Sequence, residues 1–131
     1  MGLIYLDACL LIYAIENHPF WFKPVCEALA SQPEQTFAIS PLVKMECLVK
    51  PLRQGDVGLQ RRYESGMAQF MQLALTEAVF LQAATLRARF NLKTPDALHL
   101  ACAQHHGCAA LWTNDDRLAL AAHGLARNIL R

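Results

Sequence analysis

The chain has 131 residues, the size of one ordinary domain of roughly 100–200 residues, and residues 1–131 are read as a single domain. Hydrophobic residues make up 54% and charged residues 18%, apolar enough to build a core and too apolar for a disordered chain. Lys plus Arg is 12 and Asp plus Glu is 11, a formal charge of +1, so net charge gives no electrostatic reason to invoke nucleic acid, although charges sorted onto two faces leave it open.

Leu3 to Leu6 is a short β-prone run that ends at Asp7. Ala8 to Glu16 reads as a helix, broken by His18-Pro19. Its apolar stretch, Ala8 to Ile15, is the longest in the chain and falls short of the about 18 residues of a membrane span. The start, MGLIYLD, has no basic residue before its Asp, unlike a signal peptide. Lys23 to Ser31 is a second helix, and Thr36 to Ile39 a second strand. Ser40-Pro41 follows, with Ser as N-cap and Pro at the first helical position, where its missing N–H costs nothing. That helix runs to about Arg53 and is closed by Gln54-Gly55-Asp56.

Val57 to Leu73 is helical by period, with Leu59, Tyr63, Met67, Phe70 and Met71 on one face. Leu73 to Leu75 is a very short strand, and Thr76 caps a helix running to about Phe90. Thr94-Pro95 repeats the cap-and-proline pattern and opens a helix that stops at Gly107. Ala109 to Thr113 is a strand, Asp115 to His123 a helix stopped by Gly124, and Arg127 to Leu130 a last strand. Strands alternating with helices, without tight hairpins, predict parallel strands joined by helical crossovers. The predicted fold class is α/β, with helices on both faces of a small central, mostly parallel sheet. Sites in such sheets form beyond the carboxyl ends of the strands, which points to Asp7 and to Asn114-Asp115-Asp116.

Four of the five Asp residues (7, 96, 115 and 116) fall at strand ends or helix starts. Each has an ordinary alternative. Asp7 and one of Asp115 and Asp116 suit N-caps, and Asp96 suits the first turn behind Pro95, where the helix dipole favours an acid. Glu46 lies four residues before Lys50, a spacing that predicts a surface ion pair of about 0.3–0.5 kcal/mol. Taken together the acids are less easily explained, because the topology can gather them at one edge of the sheet. Like charges 4 Å apart at an effective dielectric of 20 repel by about 4 kcal/mol. Such a cluster shares protons or holds a divalent cation, and oxygen-only ligands suit Mg²⁺ or Mn²⁺ rather than zinc.

The segments YLDACLLIYAIE, ISPLVKMECL, TPDALHLACA and LWTNDDRL, in this order and spacing, resemble the PIN-domain ribonucleases, specifically the VapC-type toxins of VapBC toxin–antitoxin pairs. The resemblance covers nearly the whole chain. It implies a three-layer α/β/α PIN-like domain and a metal-dependent endoribonuclease that hydrolyses RNA phosphodiester bonds to 5′-phosphate and 3′-hydroxyl ends. It implies Asp7, Glu46, Asp96 and Asp115 as catalytic acids. Asp7, Asp96 and Asp115 would bind Mg²⁺ or Mn²⁺, and Glu46 would help position the metal or the attacking water. Asp116 shares the metal role with Asp115 in an alternative assignment, and Thr113 orients a carboxylate as an auxiliary hydroxyl. Relatives often carry Ser, Thr or Asn just after the first acid and Phe shortly after the last. This chain has Ala8-Cys9 and Arg117-Leu118 instead. The expected partners are RNA, a cognate VapB-type antitoxin and a second copy of the chain.

Lys44, Lys50 and Arg53, on the helix of Glu46, are the first candidates for RNA phosphate contacts, with Arg61, Arg62, Arg87, Arg89 and Lys93 behind them. His99, three residues after Asp96, is expected to pack or hydrogen-bond near the site. Pro19 to Phe22 would serve the antitoxin or the core. The five Cys residues form no CxxC and read as reduced, small apolar residues of a cytoplasmic protein. Cys102, His105, His106 and Cys108 make a poor zinc site, since structural zinc needs four ligands from suitable loops. Glycine-rich dinucleotide and phosphate-loop motifs are missing, and a dehalogenase-like phosphatase would want Asp where Cys9 stands. The rival reading is a catalytically inactive PIN-like domain that binds RNA or protein.

Overall fold

The structure is a computed structural model and describes residues 2–121 and 124–130. Its elements are β1 (Leu3–Leu6), α1 (Ala8–Ile15), α2 (Phe22–Ala30), β2 (Thr36–Ile39), α3 (Pro41–Gln54), α4 (Val57–Met67), β3 (Met71–Gln72), α5 (Glu77–Phe90), α6 (Thr94–His105), β4 (Ala110–Thr113), α7 (Asp116–Ala121) and β5 (Ala126–Asn128). The five strands form one sheet in the order β3-β2-β1-β4-β5, and every pairing is parallel.

Parallel pairing demands helical crossovers, and the composition of the strands fits a sheet covered on both faces. β1 and β4 are nearly continuous apolar runs, with Tyr5, Leu6 and Leu111 fully buried. Helices α1 to α4 pack against one another, and α5 packs on α6, giving the three-layer α/β/α arrangement. The chain steps from β1 outward through β2 to β3, then crosses back to β4 on the other side of β1. The strand order therefore reverses between β1 and β4, the place where α/β sheets form their sites. Asp7 and Thr113 end those two strands.

The middle of the chain departs from the sequence reading. The apolar period predicts a helix through Leu73, but α4 ends at Met67 and β3 occupies Met71–Gln72. Pairing with the edge of β2 outweighs the helical period: Ala38 and Ile39 oppose Met71 and Gln72, and the Leu73 N–H donates to the Ile39 carbonyl at 2.8 Å. The last strand lies at Ala126–Asn128, one residue ahead of the reading, because Ala126 registers with Leu111. The predicted end of the α7 helix at His123 lies outside the described residues.

All five cysteines are free. Burial pushes the Cys47 and Cys102 thiols up to about 12 and Cys108 up to about 11. Among the described residues, no helix is long and apolar enough to cross a membrane.

Candidate active site

Beyond the carboxyl edge of β1 and β4, Asp7 and Glu46 meet at His99, and Asp96 has Asp7 and Asp115 as charged neighbours. Asp7 follows β1 in the N-cap position of α1, with an extended backbone, but its side chain makes no capping bond. Its Oδ2 instead accepts a hydrogen bond from Thr113 Oγ1 at 2.8 Å, across the β1–β4 junction. The same Thr113 oxygen accepts the Asp115 N–H at 3.0 Å. Thr113 is fully buried. One hydroxyl thus fixes both the first acid and the backbone of the last. It also supplies the polar contact that Ala8, buried in the core, cannot give to Asp7.

Asp115 and Asp116 separate clearly. Asp115 Oδ1 accepts from the Arg117 N–H at 2.9 Å and the Leu118 N–H at 3.4 Å, so Asp115 caps α7. Asp116 Oδ1 accepts from Asn128 Nδ2 at 3.0 Å, which draws it toward β5. Asp96 lies in the first turn of α6. Burial pushes its carboxyl above the ordinary aspartate range, and the charges of Asp115 and Asp7 push it further, with His99 and Arg117 opposing. Asp96 therefore feels Asp7 and Asp115 as like-charged neighbours.

Glu46 reaches the site from the middle of α3, and the predicted Glu46–Lys50 pair does not form. Glu46 Oε1 lies 2.6 Å from His99 Nε2, and Asp7 Oδ1 lies 3.6 Å from the same nitrogen. His99 is buried, and its Nδ1 is 2.7 Å from the Tyr5 hydroxyl, which is 2.7 Å from Ser40 Oγ. Burial holds the Tyr5 phenol well above its ordinary range, so it keeps its proton. Ser40 occupies the N-cap position before Pro41 but makes no capping bond, because its hydroxyl is turned to Tyr5. Among the described residues, Asp7, Glu46 and His99 form a group whose ligand atoms lie within 4.8 Å of one another.

Residues 4–124 match the family model for the PIN domain. The chain belongs to the PIN domain family. No curated protein matches this PIN domain in sequence. It is similar to a chain of a toxin–antitoxin complex from Klebsiella pneumoniae, with 23% identity and a TM-score of 0.80 over 96% of this chain and 97% of that one. It is similar to a chain of VapBC2 from Rickettsia felis bound to a promoter DNA fragment, with 19% identity and a TM-score of 0.78 over 96% and 98%. It is also similar to Mycobacterium tuberculosis VapC20, a sarcin–ricin loop cleaving toxin, with 15% identity and a TM-score of 0.77 over 90% and 94%. At these identities the likeness is one of fold.

The candidate basic residues scatter over this PIN domain. Lys50 is paired with Glu16. Arg87 Nε donates to the Leu92 carbonyl at 3.0 Å. Lys44 borders a cavity with Leu48, Glu64 and Gln72, apart from the acids. Lys93 and Arg117 flank Asp96 around an open cavity of about 380 Å³. Arg117, noted in the sequence only where relatives carry Phe, was not among the phosphate-contact candidates, and Ser40 was read only as an N-cap. Tyr5 had no assigned role; its signal was the strand alternation that sets it on the Asp7 side of β1. His106 Nε2 bonds the Ala74 carbonyl at 2.8 Å, and Cys102 and Cys108 are buried among apolar neighbours, so no zinc cluster forms there among the described residues.

Proposed function

We propose that the protein is a divalent-metal-dependent endoribonuclease, the toxin of a toxin–antitoxin pair restrained by a VapB-type antitoxin. The observation that carries this reading is the gathering of acids beyond β1 and β4: ligand atoms of Asp7, Glu46 and His99 lie within 4.8 Å of one another, and Asp96 is raised by burial and by the charges of Asp115 and Asp7. A cation relieves that repulsion. The donor set is rich in carboxylate oxygens, which suits Mg²⁺ or Mn²⁺. Asp7, Asp96 and Asp115 would hold the ion, and Asp116 is turned away to Asn128. When bound, such an ion polarises a phosphate and lowers the pKa of water.

The chain's own residues do the rest. Thr113 fixes the Asp7 carboxylate and the turn that carries Asp115. Glu46 would help position the ion and the attacking water, in line with the scissile bond. The water gives up its proton to Glu46 and on to solvent, and the leaving 3′-oxygen takes a proton from solvent, giving 5′-phosphate and 3′-hydroxyl ends. Lys93 and Arg117 contact backbone phosphates beside Asp96, with Lys44 and Arg53 as outlying contacts and Lys50 contributing only when free of Glu16. The fold likeness to chains of toxin–antitoxin complexes supports an antitoxin partner. Exposed Met45, Val49 and Leu52 lie at helical spacing along α3, an uncovered apolar stripe that supports a homodimer. The cytoplasm, where RNA and reduced thiols are found, is the compartment this reading implies.

The test is to incubate the antitoxin-free protein with total cellular RNA and Mg²⁺ or Mn²⁺, beside Asp7→Ala and EDTA controls, and to map the ends. Discrete cuts with 5′-phosphates, lost in both controls, are expected. A folded protein that neither cuts RNA nor binds metal would instead be an inactive binding domain.

A further inference from the structure

Glu46 has two partners within reach, and they pull it in opposite directions. Lys50 stands one helical turn along α3, the spacing at which Glu and Lys ordinarily pair. Glu46 and Lys50 line the same cavity of about 340 Å³, together with Glu16, His18 and Tyr63. A Glu46 paired with Lys50 would turn further into that cavity, away from His99 and Asp7. Two arrangements prevent this.

The first occupies the lysine. Lys50 Nζ donates to one carboxylate oxygen of Glu16, and the Tyr63 hydroxyl donates to the other. Burial raises the Glu16 carboxyl, but the bonds from Lys50 and Tyr63 outweigh it and leave the group below its ordinary range. Glu16 is therefore a charged and geometrically fixed competitor for Lys50. It sits just past α1, where Asn17 takes a left-handed φ of 53° and ends the helix.

The second holds the glutamate. At 2.6 Å, His99 Nε2 and Glu46 Oε1 would set two lone pairs against each other unless a proton lies between them. A carboxylate can only accept, so Nε2 donates that proton. On the other side of the ring, Nδ1 shares a hydrogen bond with the Tyr5 hydroxyl, and that hydroxyl with Ser40 Oγ. The chain of hydrogen bonds from Ser40 to Glu46 fixes the ring plane.

We infer that His99 and Glu16 are positioning residues for Glu46: His99 holds its carboxylate beside Asp7 through the short Nε2–Oε1 hydrogen bond, while Glu16 keeps Lys50 from drawing Glu46 away. The inference rests on the reading of the carboxylates as a cation site. Neither residue touches the substrate in this account.

The test uses the full chain, stripped with EDTA, and reads Mn²⁺ affinity by calorimetry. Outer-shell changes at metal sites typically cost about 10–100-fold in affinity. Glu16→Gln is expected to weaken Mn²⁺ binding by about tenfold, the lower end of that range. The double variant Glu16→Gln/Lys50→Gln is expected to recover wild-type affinity, because no lysine remains to capture Glu46. His99→Leu is expected to weaken binding over the same range, and His99→Gln, which retains an N–H donor, to lose less. Circular dichroism checks that each variant is folded. A long-range ¹H–¹⁵N correlation of the wild type is expected to show a protonated His99 Nε2 both without and with Mg²⁺. A double variant as weak as Glu16→Gln overturns the role of Glu16. An Nε2 that is unprotonated, or that loses its proton when Mg²⁺ is added, overturns the role of His99. A wild type with a protonated Nε2 but no Mn²⁺ binding overturns the cation reading instead and leaves the His99–Glu46 bond standing.

Discussion

Thr113 Oγ1 donates to Asp7 Oδ2 at 2.8 Å, joining the ends of two adjacent strands that are 106 residues apart in sequence. Because the same oxygen accepts the Asp115 N–H, the contact sets the separation of two acids at once. Thr113→Val preserves shape but removes both bonds. The variant is expected to fold and to lose RNA cleavage by about 10–100-fold. A buried N–H left unpaired costs about 1–3 kcal/mol, so its melting temperature falls as well. Thr113→Ser is expected to restore most of the cleavage. Equal rates for Val and Thr at position 113 would contradict the role of the hydroxyl.

Asp96 is the acid held least comfortably. In EDTA, Asp96→Asn removes a charge that Asp115 and Asp7 repel, so the variant is expected to melt at a higher temperature than the wild type. Added Mn²⁺ should raise the wild-type melting temperature and leave that of the variant nearly unchanged. Scanning calorimetry in both conditions checks this. A variant less stable than wild type in EDTA would show that Asp96 contributes packing or hydrogen bonding rather than repulsion.

Glu16 gives a pH dependence of opposite sense. Its folded-state pKa lies below the ordinary value, because the Lys50 and Tyr63 bonds outweigh the burial that raises it. The folded chain therefore binds this proton more weakly than the unfolded chain does. The stability it contributes is present above the ordinary Glu range and is lost as pH falls through the folded value. Glu16→Gln is expected to melt below wild type at pH 7, and the gap to close below about pH 4, the ordinary Glu range. A gap that persists unchanged to pH 3 would mean that the charge of Glu16 contributes nothing.

Lys93 and Arg117 flank Asp96 on the open cavity. Lys93→Gln and Arg117→Gln are each expected to raise KM for RNA several-fold with little change in kcat, and to lower the salt slope of binding by about one. The measurement is RNA binding against salt concentration in the Asp7→Ala background. An unchanged slope in both variants would move the RNA path elsewhere on the surface.

The thiols provide a check on the core. Cys47, Cys102 and Cys108 are buried and raised well above the range of reactive thiols. In the folded protein they are expected to resist an aromatic disulfide reagent, and all five cysteines to react after unfolding. Fast labelling of Cys102 in the native protein would contradict the packing of α6.

Asp7, Asp96 and Asp115 were legible in the sequence because their positions follow from local rules. Acids behind a short apolar strand or in a first helical turn fall at one edge once the strands run parallel. The partner of Glu46 was not legible. Local spacing favours Lys50, and the structure overrides it with His99, 53 residues away in sequence. The hydrogen bonds of Tyr5 to Ser40 and His99 join three elements at separations of 35 and 94 residues, which no local pattern records. Ser40 misled in the same way, since the Ser-Pro signal for a helix start is met by position while the hydroxyl is used elsewhere. The end of α4 escaped because Phe70 and Met71 continue the helical period, whereas pairing with β2 draws Met71 into an exposed edge strand.

The most direct measurement is anomalous diffraction from crystals of the wild-type protein soaked in Mn²⁺. The account places the anomalous peak among carboxylate oxygens of Asp7, Asp96 and Asp115, at oxygen–metal distances of about 2.0–2.3 Å. It leaves His99 Nε2 outside that sphere and hydrogen-bonded to Glu46. A peak seated on His99 Nε2, or no peak between Asp7 and Asp96, would contradict it.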